Sequence, residues 1–203
     1  MFSWIKNIFS FYVERYKKRF IYCFVIYYLL VFIGGLIGVL NHGLTSKVIK
    51  IVGSGFTSFT PGLFQAIDAG QAITIILMIF VINSIFGTFL LITLPNIICL
   101  GTLTFIFRPL LWGIIYAPIN PQETILLVSA IPTMIIEGLA YIIAFVASID
   151  LFLAILNPVK LDEDSRFKAL KKAALYNLKS YVLVLMVLFI AAIVETVTIL
   201  LIS

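Results

Sequence analysis

The sequence predicts an all-α protein, a polytopic membrane helix bundle of about five transmembrane helices in a single domain. Three observations predict it. First, 63% of the 203 residues are hydrophobic and 11% are charged, against about 45–50% apolar and about 25% charged in a soluble domain; the mean hydropathy is +1.19. So few charges cannot cover so much apolar surface, and the excess must face lipid. Second, the apolar residues fall into runs of roughly 20, the length that crosses a bilayer core. Third, eleven of the 14 basic residues fall into two segments. Lys6, Arg15, Lys17, Lys18 and Arg19 precede the first apolar run; Lys160, Arg166, Lys168, Lys171, Lys172 and Lys179 precede the last.

Residues 1–19 read as an interfacial basic helix. Trp4, Ile5, Ile8, Phe9, Phe11 and Tyr12 supply an apolar face, and the cations cluster at its end. Span one is 20–40. No small-x-small cleavage site follows it, so it is expected to stay as an anchor, and Gly34 and Gly38 form a small-xxx-small pair that lets another helix approach. Residues 41–70 are weakly apolar and read as an interfacial or re-entrant segment. Gly53-Ser54-Gly55 is expected to break it, and Thr60-Pro61 to start a helix. Span two is 71–94, closed by a tight turn at Pro95-Asn96. Span three is 96–117, and a turn over 117–122 follows it. Span four, 123–156, is too long for one straight crossing and is expected to break or kink at Pro132. Residues 159–180 read as a cytoplasmic linker with an amphipathic helix from about Arg166, and span five is 181–202. Cys23 and Cys99 lie in apolar runs and read as reduced packing residues.

The charges orient this arrangement. Basic loops face the cytoplasm, and an even number of crossings between the two basic segments puts both inside. The expected placement is multi-pass in the cell membrane, N-terminus cytoplasmic and C-terminus outside. Lys17, Lys18, Arg19, Lys171 and Lys172 are the residues expected to meet anionic headgroups. Nucleic acid is not an expected partner, because no basic-aromatic surface remains outside the spans.

Three charges sit near the middle of their spans: Arg108, Glu137 and Glu195. Each costs roughly 2.5–3.5 kcal/mol in hydrocarbon even on insertion scales, so they are expected to meet inside the bundle, with Arg108 in a bidentate carboxylate pair. One carboxylate is then left over, and two carboxyls side by side favour sharing a proton. Asn83 joins this intramembrane polar cluster, while Asn96 and Gln71 read as interhelical hydrogen-bonding groups. Asp150, nearer the end of its run, is expected to reach the interface. The constellations that catalysis needs are missing from the sequence. The single histidine, His42, lies at the edge of span one, away from any carboxylate cluster that could hold a metal or activate a serine. No glycine-rich phosphate loop is present. Neither an active site nor a cofactor is expected.

Three stretches carry a family resemblance: Phe80-Val81-Ile82-Asn83-Ser84 followed by Gly87; Ile131-Pro132 through Glu137-Gly138-Leu139-Ala140, a proline–x–x–x–x–glutamate pattern; and Ala191-Ala192-Ile193-Val194-Glu195. From about Phe80 onward the chain resembles the stage II sporulation protein M family, whose members often carry a histidine where this chain has Thr133. The resemblance implies a non-enzymatic membrane scaffold that holds other envelope proteins. The residues themselves allow an alternative, an ion- or proton-coupled transporter or channel subunit built on the Arg/Glu cluster. Five spans are few for a transporter, so it would act as an oligomer of this chain.

Overall fold

The computed structural model describes residues 2–118 and 121–202, and among the described residues the regular structure is entirely helical. Helix α1 (Phe2–Leu40) is followed by α2 (His42–Phe59), α3 (Pro61–Asp68) and α4 (Ala72–Val81). The last of these runs directly into a π-helix, Ile82–Thr93. A 3-10 turn at Pro95–Ile98 reverses the chain into α5 (Gly101–Ile115). Then come α6 (Pro121–Leu156), a 3-10 turn at Pro158–Leu161 and α7 (Arg166–Ile202).

Four helical segments are long and apolar enough to cross a membrane: 3–40, 72–98, 130–156 and 166–201. The chain is therefore an all-α membrane helix bundle. The expected third span, 96–117, forms only the 15-residue α5, about 22 Å long at 1.5 Å per residue and shorter than the roughly 30 Å hydrocarbon core.

Direction is legible from the contacts. Tyr27 packs on Phe105 at 5.5 Å between ring centres, Gly34 touches Leu110, and Gly38 touches Ala117, so α5 runs parallel to α1. Helix α6 runs against α1, since Arg15 meets Asp150 while Tyr28 Oη donates to the Ile135 carbonyl at 2.7 Å. The α4–π segment runs against α7: Phe80 packs on Phe189 and Phe89 on Tyr181. Five segments thus alternate in direction, with the short α5 among them. Helix α6 is the hub. Its apolar window is 61% buried, against 17–33% for the other three, and the stacked pair Phe105–Phe145, 3.9 Å apart, lies in its core.

Several expected boundaries move. Residues 1–19 are not a separate interfacial helix, because α1 is continuous from Phe2 to Leu40. Residues 159–180 are not an isolated linker, because α7 is continuous from Arg166 to Ile202. Both differences have one cause. Polarity changes at Phe20 and Tyr181, but a change of polarity does not by itself end a helix, and no proline or glycine lies near those boundaries to weaken it. At about 58 Å and 55 Å, the two helices exceed the hydrocarbon thickness. Their N-terminal parts extend past the same end of the bundle, side by side. Phe11 packs on Tyr176 at 5.3 Å, and Lys179 Nζ lies over the Phe11 ring at 5.2 Å. Ile8 and Tyr12, on the apolar face expected of an interfacial helix, are buried, and so is Tyr16 one turn further on.

Helix α2 passes through Gly53-Ser54-Gly55 without a break, and α6 passes through Pro132. The turn expected over 117–122 falls partly on residues 119–120, outside the described residues. Cys23 is half-buried, but Cys99 is exposed rather than packed. It occupies the left-handed region (φ 67°) where the 3-10 turn ends, and its sulfur contacts Thr102 Oγ1 at 3.5 Å.

The α1–α5 seam is closed by glycine. A Cβ on Gly113 would lie 2.1 Å from the Val31 carbonyl oxygen, and one on Gly34 would lie 2.2 Å from that of Leu110. Backbone cannot yield as a flexible side chain can. Gly113→Val is expected to lower stability by at least the ~1–3 kcal/mol of core overpacking, read as a lowered thermal midpoint by circular dichroism in detergent. Gly55→Ala, in open space within α2, is expected to be neutral or to gain up to about 1 kcal/mol.

Candidate functional site: a polar cluster inside the bundle

The polar cluster is assembled from four segments. The π-helix supplies Asn83 and Gly87, α5 supplies Arg108 and Trp112, α6 supplies Glu137 and Tyr141, and α7 supplies Glu195. At its centre is Tyr141, fully buried. Its hydroxyl accepts a hydrogen bond from Arg108 Nη2 at 2.5 Å. It faces two acceptors, Glu137 Oε2 at 3.0 Å and Asn83 Oδ1 at 3.1 Å, and its single proton serves one of them at a time. Asn83 Nδ2 donates to Glu137 Oε1.

Arg108 does not form the expected bidentate ion pair. The ion pairs among the described residues are Arg15–Asp150, Arg19–Asp150 and Lys172–Glu163. Arg108 instead donates through Nη1 to the Gly87 carbonyl at 3.0 Å. Its guanidinium carbon lies 3.8 Å from the Tyr141 ring centre and 5.5 Å from that of Trp112. Cation–π contact of this kind strengthens as water is excluded. Tyr141 therefore stands between the cation and the carboxylate, touching both. The sequence reading missed it because tyrosine is common at membrane interfaces and reads as apolar. The available signal was its position four residues after Glu137, on the same helix face.

The π-helix explains why Gly87 is available. Wider hydrogen bonding displaces backbone carbonyls toward neighbouring side chains. Three groups use them: Arg108 at Gly87, Thr88 Oγ1 at Asn83 (2.7 Å), and Tyr181 Oη at Ser84. A Cβ on Gly87 would lie 3.0 Å from Arg108 Nη1, so the missing side chain is what admits the guanidinium.

Glu195 meets Glu137 carboxyl to carboxyl within hydrogen-bonding reach. The other Glu195 oxygen, Oε2, is buried without a partner, as are the hydroxyls of Tyr27 and of Thr133, one turn before Glu137. Among the described residues no three His, Cys, Asp or Glu side chains come together as metal ligands.

A second charged group lies at the end of the bundle. Asp150 is 1% exposed, so its carboxylate meets protein groups rather than water. Arg15 donates to Oδ2 through Nε at 3.0 Å and Nη2 at 2.8 Å, Tyr16 Oη donates to the same oxygen at 2.9 Å, and Arg19 Nη1 donates to Oδ1 at 2.6 Å. Arg19 is thus engaged by Asp150, with its side chain still 42% exposed. Lys172 is likewise engaged, donating to the Leu161 carbonyl at 2.6 Å and pairing with Glu163 at 3.4 Å. Lys17, Lys18 and Lys171 are exposed. Asn96 joins helices as expected, donating to Ser148 Oγ at 2.8 Å and accepting from Thr102 Oγ1 at 3.2 Å, whereas Gln71 is exposed.

Compared with known proteins, the chain matches no family model, no curated protein and no solved structure.

Tyr141→Phe keeps the ring and removes the bridging hydroxyl, leaving Arg108 Nη2 and a Glu137 oxygen each short of a partner. The expected loss is about 1–3 kcal/mol, measured by denaturant or thermal unfolding in nanodiscs. Asp150→Leu strands Arg15 and Arg19. Because both arginine side chains are partly exposed (29% and 42%), its cost should fall below the ~3–5 kcal/mol of a fully buried broken pair, in the same assay.

Proposed function

We propose that this protein is a non-enzymatic scaffold or assembly factor of the cell membrane, of the stage II sporulation protein M type. Its N-terminus lies in the cytoplasm and its C-terminus outside, and its partners are anionic lipid and other membrane or envelope proteins. The observation that carries the reading is the way the intramembrane charges are used. Arg108 and Glu137 are each held by groups of the bundle itself: the Gly87 carbonyl, Tyr141 and Asn83. Polar groups so engaged fix how helices pack. The motif resemblance supports the same reading, since Glu137, Glu195, Asn83 and Gly87 of those motifs all fall in this one cluster. The orientation is supported by the two basic segments lying at one end, with five alternating segments between the termini.

A specific observation favours a second reading. Glu195 Oε2 is buried without a partner beside Glu137. A carboxyl pair with a free oxygen is a place to load and release a proton, as a proton-coupled transporter subunit would require.

Reconstitution separates the two. For a scaffold, the purified chain in liposomes leaks protons and ions no faster than empty vesicles, and Glu195→Gln changes nothing but stability. Cross-linking in native membranes recovers the chain with other envelope proteins. Flux above background that disappears in Glu195→Gln, while the circular dichroism spectrum is unchanged, establishes the transporter and removes the scaffold.

A further inference from the structure

A groove lies between the π-helix, the 3-10 turn after it, α6 and α7. It has a volume of about 320 Å³ and is walled by Phe89, Ile97, Leu151, Ala174, Leu178 and Tyr181. Its size is that of a small-molecule site rather than a packing defect. Two polar side chains also line it, Thr93 and Asn177. Both are more than nine-tenths buried, at 3% and 7% exposure, and Thr93 Oγ1 and Asn177 Nδ2 have no hydrogen-bond partner.

Such orphans need an occupant. Buried polar atoms without partners cost about 1–3 kcal/mol each, and four other hydroxyls of this bundle avoid that cost. Those of Ser84, Thr88, Ser180 and Thr196 return to a carbonyl of their own helical segment. Thr93 does not: its hydroxyl meets no carbonyl of its own segment. What remains in the groove is two donors, a hydroxyl and an amide N–H, set in an otherwise apolar wall.

The groove's level defines the ligand further. Leu151 follows Asp150, and Asn177 follows Tyr176, over whose ring Arg15 sits at 4.2 Å. The groove therefore lies in the layer of the Arg15–Arg19–Asp150 ion pair, where the two basic segments meet. Basic segments of this kind lie against anionic headgroups, and the ester linkages of a lipid lie just beneath its headgroup. We propose that this groove binds one membrane glycerophospholipid. Its acyl chain lies along Phe89, Ile97, Leu151 and Leu178, and one ester carbonyl accepts hydrogen bonds from Asn177 Nδ2 and Thr93 Oγ1. A carbonyl oxygen has two lone pairs and satisfies both donors at once. The site shares no residue with the Arg108–Glu137 cluster, so it stands or falls independently of the scaffold reading.

An ester–ether comparison tests it. The full chain is placed in nanodiscs containing equal amounts of a diacyl phosphatidylglycerol and its dialkyl ether analogue with the same chains. It is then moved into mild detergent, and the retained lipid is counted by native mass spectrometry. The wild-type protein keeps one lipid, with the ester preferred about fivefold, the worth of one net hydrogen bond. Asn177→Leu and the near-isosteric Thr93→Val each bring the preference down toward unity, and Ala174→Phe, which fills the groove, loses the lipid. Equal retention of ester and ether by the wild type, as when only water meets the two donors, overturns the proposal. So does an unchanged preference in both Asn177→Leu and Thr93→Val.

Discussion

The arrangement depends on one constraint: an ionised group at mid-membrane depth must find its counterpart inside the protein. Tyr141 meets that constraint here. A direct Arg108–Glu137 pair would join two helices, α5 and α6. A buried tyrosine between them accepts from the cation and offers its ring to the guanidinium face, while its hydroxyl proton is available to Glu137 or Asn83. Asn83 closes the ring by donating to Glu137. Three segments are thereby held through one side chain, and Glu195 adds the fourth through the second carboxyl.

The same economy operates at the end of the bundle. Among the described residues Asp150 is the one buried carboxylate at that end, and α1 brings two arginines and a tyrosine to it. The positive charge that sequence reading assigns to lipid contact is therefore divided. Arg15 and Arg19 anchor the first helix against α6, while Lys17, Lys18 and Lys171 remain exposed. Charge sign marks a helix end as basic, but only the location of a buried acid decides which of its cations turn inward.

How much of this is readable in the chain differs by feature. The all-α membrane class follows from hydropathy alone. Gly34 and Gly38 at four-residue spacing announce a close helix contact, and the partner surface, far along the chain, has the same spacing in Gly113 and Ala117. Arg108, Glu137, Glu195 and Asn83 are conspicuous because each interrupts an apolar run. Tyr141 is not conspicuous, since burial and a hydroxyl's partners are properties of the folded bundle. The π-helix was equally hidden: Ile82–Thr93 reads as ordinary apolar helix, and its widened backbone is held by donors from elsewhere, Arg108 and Tyr181. Helix continuity past 19 and 180 is not legible because polarity reports environment, and a change of environment leaves the backbone hydrogen bonding intact.

The seams made by α1 carry a consequence for biosynthesis. Its glycine face fits Gly113, and its arginines fit Asp150, partners 131 and 135 positions away for the two cation contacts. A ribosome delivers the chain from its N-terminus, so α1 enters the bilayer long before either surface that receives it exists. Until α5 and α6 emerge, it sits among acyl chains with its small-residue stripe uncovered and its cations turned to the headgroups. A helix made ahead of its partners is thus late to find its place, and a chaperone or insertase acting on the nascent chain would meet it as a lone, unpaired arm.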